Sequence, residues 1–510
     1  MQTIREMIEN TVTAYPDKPA IIYKNKKITY QELNNIIHRL VCGFSRLGFQ
    51  KGDWVMELIP NSPEIIFTHL ALIKLGAVAV PLNVMYKFHE IEYIGNVTNA
   101  KGIVAQADLW KTLADEVMAG LPSLQTVVSI GEDISGAVNF AQLSMDTTSK
   151  LPTIKPKLDD IASVIFTSGT TGRPKGATQT HRSILSAVDG CLIQNKHSQK
   201  DIFLCGLPIF NNFGLNMVMM PCFAIGGTLV IIDRFEQQAV MDSIQQNKAT
   251  YFAGTPTMFA YMLDAYSPGK NDLSSLRVTN SGGAHCAPEL IKNIENTFGV
   301  VHLDGYGQTE ACGFSTLNPV VGVRKPNSVG VPLSNTWIKI VDSADNELPA
   351  GEVGEVVEKG DVFSIHGYWN QPDANRDVYK NGWYHSGDLG YLDDDGYLYV
   401  VDRKQDLIIT GGYNIYPTEV EDVLCSHPKV TLAAVIGIPD EVKGELAKAF
   451  ILLKEGETAT EQEIIEYVRT RMAKFKAPRI VEFVDQLPLG PTGKLLKRKL
   501  KEEILNDLKA

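Results

Sequence analysis

The sequence predicts an α/β protein with a large N-terminal domain and a smaller α+β C-terminal domain. Apolar, strand-like runs alternate with amphipathic helical stretches from the start of the chain to about residue 324. This alternation is typical of layered α/β units with a mainly parallel sheet. Short runs separated by glycine turns follow, and predict a small antiparallel, β-barrel-like unit. The final segment mixes strands with helices and is long enough for its own core.

We therefore expect an N-terminal domain at residues 1–402 and a C-terminal domain at 403–510. Within the first, the pattern predicts α/β units at about 1–160 and 161–324, and the β unit at 325–402. The boundary near residue 402 falls where the glycine-separated strands end.

Individual elements follow from the spacing of apolar residues. Residues 30–40 and 63–75 have the helical period, and residues 461–474 predict a helix of the C-terminal domain. Residues 53–60 and 162–166 are short apolar runs that predict buried strands.

Composition excludes several classes of protein. The chain has 510 residues, and its 48 Lys and Arg against 59 Asp and Glu give a net charge of −11, which argues against binding nucleic acid through a basic face. No apolar run approaches the ~20 residues of a membrane helix. No apolar core follows the first charges, so the sequence predicts no secretory signal. The sequence does not indicate an oligomeric state.

The cysteines predict neither a disulfide framework nor a zinc site. Seven are scattered along the chain, and no CxxC pair occurs. This usage is typical of a reducing cytoplasm, where we expect the protein to reside. A nucleophilic role for Cys286 or Cys312 stays open at this point.

A glycine-rich segment at residues 167–176 reads TSGTTGRPKG and follows the predicted strand at 162–166. Its glycines let the backbone approach a ligand, its hydroxyls add donors, and Lys175 adds charge. Together these features favour a phosphate-binding loop. The spacing does not match GxxxxGK[ST], so the sequence excludes an ordinary P-loop nucleotidase. A helix is expected to begin near Thr180.

This segment resembles the phosphate-loop signature of the adenylate-forming (AMP-binding) superfamily, which includes acyl-CoA synthetases, adenylation domains of peptide synthetases and beetle luciferases. The resemblance extends from near residue 10 to near residue 500 and favours the acyl-CoA synthetase branch. The resemblance rests on five motifs in a fixed order. It implies that ATP phosphates are bound by Thr167, Ser168, Gly169, Thr170, Thr171, Gly172 and Lys175.

The second motif reads DGYGQTE at residues 304–310. The resemblance implies that Tyr306 stacks on adenine, that Thr309 contacts the α-phosphate, and that Glu310 holds Mg²⁺. Thr309 and Glu310 are thereby assigned to catalysis, and a carboxylate oxygen is a ligand that Mg²⁺ prefers. The same resemblance assigns further residues to the nucleotide site: Gly283, Ala284, Asp304 and Gly305.

The third and fourth motifs lie at residues 383–390 and 402–417. In relatives the residue matching Asp388 holds both ribose hydroxyls, which suits a carboxylate because it accepts two hydrogen bonds. Arg403 matches a second ribose contact. Gln405 stands at the hinge of the mobile C-terminal domain, where relatives usually carry Asp or Lys. Gly411 and Gly412 match a loop that meets the pantetheine of CoA.

The fifth motif reads PLGPTGKLLKR at residues 488–498. Lys494 matches the catalytic lysine of adenylate formation. By resemblance, the C-terminal domain brings this lysine to the site for the first reaction step and withdraws it for the second.

The acid-binding residues are implied by position. They are Phe210, Asn211, Asn212, Phe213 and Gly307. Many relatives have histidine at the position of Asn211, as an aromatic gate beside the reacting carboxylate. Apolar neighbours favour a medium- or long-chain fatty acid, and an aryl or alicyclic acid is the alternative.

The function implied by the resemblance is the reaction of a carboxylic acid with ATP and CoA, giving acyl-CoA, AMP and pyrophosphate, with Mg²⁺ as the metal. The sequence leaves three other readings open. They are transfer of the acyl group to a separate acyl carrier protein, a weakened binder of nucleotide and acyl ligands, and a luciferase-like oxygenase.

Overall fold

The computed structural model describes residues 2–145, 151–167, 174–440, 442–490 and 495–507. Its strands are β1 (Pro19–Tyr23), β2 (Lys26–Thr29), β3 (Trp54–Leu58), β4 (Val78–Pro81), β5 (Gly102–Gln106), β6 (Thr126–Ile130), β7 (Val138–Asn139), β8 (Ile161–Thr167), β9 (Lys175–Thr180), β10 (Ile202–Cys205), β11 (Thr228–Ile231), β12 (Tyr251–Gly254), β13 (Val278–Ser281), β14 (Val301–Gln308), β15 (Gly313–Leu317), β16 (Val331–Pro332), β17 (Thr336–Val341), β18 (Gly354–Gly360), β19 (Tyr379–Lys380), β20 (Trp383–Leu392), β21 (Leu398–Arg403), β22 (Ile408–Thr410), β23 (Tyr413–Ile415), β24 (Val430–Asp440), β25 (Gly444–Leu453) and β26 (Ile480–Phe483).

Helices follow or precede most of these strands. They are α1 (Ile4–Ala14), α2 (Tyr30–Arg46), α3 (Pro63–Leu75), α4 (Phe88–Thr98), α5 (Ala107–Lys111), α6 (Ala114–Gly120), α7 (Phe140–Met145), α8 (His181–Asn195), α9 (Asn212–Gly214), α10 (Met220–Ala224), α11 (Gln237–Asn247), α12 (Pro256–Ala265), α13 (Pro288–Phe298), α14 (Pro372–Val378), α15 (Pro417–Cys425), α16 (Glu461–Arg469) and α17 (Lys497–Asp507). A π-helical turn covers Leu215–Met219, and a 3₁₀ turn covers Thr309–Ala311.

Two large, mostly parallel sheets make up most of the N-terminal domain. One has the strand order β7-β6-β5-β3-β4-β8-β9, and the other the order β16-β15-β14-β13-β12-β10-β11-β1-β2. One continuous cluster of buried apolar side chains joins them, and includes Ile21 of β1, Ile66 of α3 and Val104 of β5. Helix α3 is buried around almost its whole circumference, and most of its side chains are apolar. The predicted α/β class is confirmed.

The sequence led us to expect a division between two α/β units near residue 160. The strands of the two large sheets do not divide there. Strands β8 and β9 join the first sheet, whereas the hairpin β1–β2 joins the second by pairing with β11. The Thr228 hydroxyl also donates to the Pro19 carbonyl across this junction, at 2.7 Å. Apolar periodicity reports which residues are buried, but not which distant strands pair.

The remaining sheets are mostly antiparallel and smaller. Strands β17, β18, β20 and β19 are hydrogen-bonded in that order, with β21 on β20. In the C-terminal domain the order is β23-β22-β25-β24, with β26 on β25. Helix α16 ends at Arg469 rather than at residue 474, because its last buried apolar residue is Val468 and the chain then turns toward β26.

Helix α8 begins where the sequence predicted. Thr180 is its N-cap, and the Thr180 hydroxyl accepts a hydrogen bond from the Ser183 amide at 3.1 Å. Within the ranges described above, no helix is both long and apolar enough to cross a bilayer.

Candidate active site

A cleft of about 1920 Å³ is lined by residues of both domains. The sequence-predicted residues that line it are Thr167, Lys175, Phe210, Asn211, Asn212, Phe213, Gly283, Ala284, Gly305, Tyr306, Gly307, Thr309, Glu310, Asp388 and Arg403. The predicted residues Ser168, Gly169, Thr170, Thr171, Gly172 and Lys494 lie outside the described residues. The cleft is also lined by Gly490 and Leu495, which flank residues 491–494.

One corner of the cleft brings together the three residues assigned to the nucleoside. The Tyr306 hydroxyl donates to Asp388 Oδ2 at 2.7 Å, and Arg403 Nε lies 3.5 Å from Asp388 Oδ1. Asp388 and Arg403 are directly opposite on the antiparallel strands β20 and β21. Side chains so paired lie close together on one face of a sheet. An aromatic ring, a carboxylate and a guanidinium are therefore available to one nucleoside.

Glu310 lies buried in the cleft wall, in the 3₁₀ turn that follows β14. Its Oε1 accepts a hydrogen bond from the Tyr368 hydroxyl. Burial raises the pKa of Glu310, while that hydrogen bond and the nearby charge of Lys175 act in the opposite direction. A cation at the carboxylate would reverse the effect of burial, so this environment suits a metal ligand.

The described ends of the glycine-rich segment form the base of a hairpin. Thr167 and Lys175 are opposite each other on strands β8 and β9, so the residues between them connect two paired strands. Lys175 Nζ lies 5.3 Å from the centre of the Tyr368 ring. Tyr368 therefore contacts both the phosphate-loop lysine and the predicted metal ligand, a role that no local sequence pattern indicated.

Buried amides connect three motifs below the cleft. Gln179 Nε2 donates to Asn212 Oδ1 at 2.8 Å and to the Thr309 carbonyl at 3.2 Å. Asn216 Nδ2 donates to Gln179 Oε1 and to Asn212 Oδ1, each at 2.9 Å. These bonds fix residues 212–216, which include the predicted acid-binding residues Asn212 and Phe213, relative to β9 and the 3₁₀ turn. Sequence reasoning missed Gln179 and Asn216, because their partners are distant in the chain.

Asn211, at the position where the resemblance implied an aromatic gate, caps the short helix α9. Its Oδ1 accepts a hydrogen bond from the Phe213 amide at 3.2 Å. Asparagine is among the preferred N-cap residues, so Asn211 has a local structural role.

Gly307 is required by a close approach of two strands. A Cβ atom at this position would lie 1.9 Å from the Gly313 carbonyl oxygen on β15. No other residue fits without moving that strand, so Gly307 is needed for the shape of the cleft wall.

Asp304 is buried against the sheet rather than exposed at the cleft. Its Oδ1 accepts a hydrogen bond from the Ser281 hydroxyl at 2.6 Å, and Ser281 in turn lies 2.9 Å from His302 Nε2. Burial raises the pKa of Asp304 to about 7. The structure therefore places Asp304 behind the nucleotide corner, while its neighbours Gly305 and Tyr306 line it.

A second buried carboxyl, Glu358, was not found by sequence reasoning. Its Oε1 accepts from Gln308 Nε2 at 2.7 Å, which fixes the strand that carries Tyr306. Burial raises the pKa of Glu358 to about 7.

The Glu358→Gln substitution is expected to reduce the pH dependence of thermal stability. The pKa of Glu358 is higher in the folded state than in the unfolded state, so the protonated carboxyl stabilises the fold relative to the ionised one. This stabilisation is complete below the unfolded pKa and is lost as the pH rises through about 7. Glutamine cannot ionise, so between about pH 5.5 and about pH 8.5 the melting temperature should fall by roughly 2–4 °C less in the variant than in the wild type. Glu352→Gln, at an exposed residue of the same segment, is the control. Parallel curves for wild type and E358Q would contradict this expectation.

Gly411 and Gly412 do not line the main cleft. Both have positive φ angles, of 56° and 84°, and form the two-residue turn between β22 and β23. A second cavity, of about 230 Å³, is lined by Gly411 with Tyr413, Lys443, Phe475 and Arg479 among others. The Tyr413 and Phe475 rings are stacked at 4.8 Å.

Burial argues against a nucleophilic cysteine near the motifs. Cys286 and Cys312 are both buried. Burial raises the pKa of Cys286 and raises the pKa of Cys312 to about 12, so neither thiol is set up to form a thiolate.

Comparison with known proteins adds to this geometry. Residues 8–369 match the family model of AMP-binding enzymes, and residues 419–494 match that of the AMP-binding enzyme C-terminal domain. The chain is 33% identical to a long-chain-fatty-acid–CoA ligase of Bacillus subtilis, over 98% of this chain and 94% of the relative. It is 34% identical to a feruloyl-CoA synthase of Amycolatopsis, over 94% of this chain and 95% of the relative.

A solved structure gives the same result for the fold. An anthranilate CoA ligase in complex with anthranoyl-AMP superimposes with a TM-score of 0.94 at 28% identity, over 100% of this chain and 98% of the other. The similarity therefore extends over both domains.

Proposed function

The chain belongs to the AMP-binding enzyme family, and from this premise we propose that it is an ATP-dependent carboxylic acid–CoA ligase acting on a fatty acid. It is an AMP-forming acid–thiol ligase, as the motifs indicated. The observation that carries the proposal is one cleft that holds Tyr306, Asp388 and Arg403 at one corner and Glu310 with Lys175 beside it.

The first step joins the acid to AMP. A carboxylate oxygen of the acid attacks the α-phosphorus of ATP, and pyrophosphate leaves. Because both reactants are anionic, the site must offset charge and align atoms. Lys175 and the amides and hydroxyls of residues 167–172 would hold the phosphates, while Asp388 and Arg403 would hold the ribose. Lys494 would supply a further positive charge.

The second step transfers the acyl group to a thiol. The CoA sulfur attacks the carbonyl carbon of the acyl-adenylate, and AMP leaves. The adenylate is a mixed anhydride, so the site must exclude water until the thiol arrives.

We assign Mg²⁺ to Glu310. Among the described residues, no three His, Cys, Asp or Glu side chains lie close enough together to hold a metal ion. Glu310 would provide a protein ligand and the phosphates of ATP further ligands, as is usual for Mg²⁺ at phosphate sites. The ion would neutralise phosphate charge as it develops.

A fatty acid is supported by the lining of the cleft next to the adenylate site. Phe210, Phe213, Met217, Leu263 and Leu290 give this region apolar walls. The flexible methionine side chain adapts to chains of different shape.

An aryl acid is the alternative that a specific observation favours. The Phe213 and Phe314 rings meet edge to face at 5.4 Å, and such rings can pack on an aromatic substrate. Relatives named as feruloyl-CoA synthase and anthranilate CoA ligase agree with this alternative.

CoA is proposed as the acceptor because the second cavity suits its nucleotide. The stacked pair Tyr413 and Phe475 offers an aromatic surface, and Lys443 and Arg479 offer charge for phosphates. The Gly411 amide donates to the Lys443 carbonyl at 2.8 Å, so the glycine turn is fixed to this site. A separate acyl carrier protein stays the alternative acceptor.

We also propose a cytoplasmic location, because free, buried cysteines are typical of a reducing compartment.

Arg479→Ala is expected to raise the KM for CoA by about tenfold, because a charge-assisted phosphate contact is lost. Pyrophosphate release without CoA should not change. Arg471→Ala, at a residue that packs on Tyr467 away from this cavity, is the control. An unchanged KM for CoA in R479A would remove this cavity from the acceptor site.

The function is tested with ATP, Mg²⁺ and a panel of acids of graded length and shape. Pyrophosphate release is followed with and without CoA, and products are identified by mass. Acyl-CoA and AMP from fatty acids would support the proposal, and the same products from aryl acids would support the alternative. Acyl-adenylate without thioester would indicate a carrier-protein acceptor. Nucleotide binding without pyrophosphate release would indicate a weakened binder.

A further inference from the structure

One side-chain contact connects the β13–α13 loop, residues 282–287, to the C-terminal domain. His285 follows Gly283 and Ala284 in the cleft wall, and its Nε2 lies 2.7 Å from Asp422 Oδ1 of helix α15. The two residues are 137 positions apart in the chain. Each side chain is about one quarter exposed, so solvent only partly screens the contact.

The surroundings of His285 favour its charged form. Burial alone would lower the pKa of His285, but the hydrogen bond and charge of Asp422, with Asp304 and Glu421 nearby, raise it above its usual range. The contact is a hydrogen bond, and it is also an ion pair whenever His285 is protonated.

The residue before Asp422 continues the connection. Glu421 lies 2.7 Å from Lys497 Nζ at the start of helix α17, and its Oε1 also accepts from the Val435 amide at 2.6 Å. Lys497 is three residues after Lys494. Two consecutive acidic residues of α15 thus point in different directions, one to the β13–α13 loop and one to the segment that follows the predicted catalytic lysine.

We propose that His285 is a positioning residue for the first reaction step. Through Asp422, α15 and the Glu421–Lys497 pair, it fixes the start of α17, three residues after the predicted catalytic lysine, relative to the β13–α13 loop of the cleft wall. The proposal rests on the proposed function, because it assigns the contact to adenylate formation. It predicts that the contact is needed for pyrophosphate release and not for thiol attack on an adenylate already formed.

The kinetic test separates the two half-reactions. Asp422→Ala should slow pyrophosphate release about fivefold, the size expected for a partly exposed ion pair. Thioester formation from supplied acyl-adenylate and CoA should keep the wild-type rate. Asp422→Glu, which retains the charge, should recover most of the loss. Equal slowing of both half-reactions by D422A would overturn the proposal.

Two further comparisons distinguish positioning from a general loss of structure. Glu419→Gln is the matched control, because Glu419 lies on the same helix and pairs with Lys476 inside the C-terminal domain. It should affect neither half-reaction. His285→Ala should add no further loss to D422A, since both remove one contact. Additive losses in the double variant would overturn the proposal.

A distance measurement tests the contact without any turnover. Labels are attached at Ala119→Cys in the N-terminal domain and Gln462→Cys in the C-terminal domain, both exposed positions. D422A should broaden the distribution of distances between the labels, whereas E419Q should not. An unchanged distribution in D422A would overturn the proposal. If no acid supports pyrophosphate release in the wild type, the proposed function fails, and this measurement still decides whether the pair fixes the domains.

Discussion

Replacing Lys494 with alanine is expected to slow pyrophosphate release by about 10²–10³-fold. The lysine is predicted to offset charge as the acid attacks the α-phosphorus, and such preorganised contacts act mainly in the transition state. Thioester formation from supplied acyl-adenylate should continue near the wild-type rate, because no new bond to phosphorus forms in that step. The measurement is a single-turnover assay of each half-reaction with purified protein.

The position of its neighbours supports this role for Lys494. Gly490 and Leu495 line the cleft, and Lys497 is fixed to α15 by Glu421. Lys474→Ala, at an exposed lysine of the same domain, is the control and should change neither half-reaction. Equal loss of both half-reactions in K494A would contradict the division of roles between the steps.

Glu310→Gln is expected to lower the rate of pyrophosphate release by about 10²-fold and to raise the Mg²⁺ concentration needed for half-maximal rate. Glutamine keeps the shape of the side chain and can still accept the hydrogen bond from Tyr368. It lacks the charge that holds a divalent cation. The measurement is the initial rate over a range of Mg²⁺ concentrations at saturating ATP.

The control for this substitution lies in the same cleft. Glu289→Gln removes an exposed carboxylate that also lines the cleft but pairs with Lys292 on α13. It should leave the Mg²⁺ dependence unchanged. If E310Q required no more Mg²⁺ than the wild type, Glu310 would not be the metal ligand.

Local sequence patterns predicted the elements that depend on local interactions. The helix at Pro63–Leu75 has the bounds that its apolar run indicated, and α8 begins at the Thr180 cap. Asp388 and Arg403, which the resemblance assigned to the ribose, lie opposite each other on one antiparallel pair of strands.

The parts that the sequence did not predict depend on distant partners. Gln179, Asn216 and Tyr368 contribute to the site through hydrogen bonds to residues far away in the chain. No motif or residue spacing in the sequence identifies such an amide or tyrosine as part of a site. Asp422 is one acidic residue among several on α15, and only the fold shows that it faces His285. The boundary expected at residue 160 was misplaced for the same reason, since strand pairing is a long-range property.

The position of β1 in its sheet has a consequence for how the protein is made. Strand β1 pairs with β11, and the bond from Thr228 to Pro19 joins residues 209 positions apart. A ribosome adds about 5–20 residues per second, so β1 waits roughly 10–40 s for its neighbour to be synthesised. During that interval apolar residues such as Ile21 are without their native cover. Strand β1 is therefore one segment for which a chaperone would supply temporary cover.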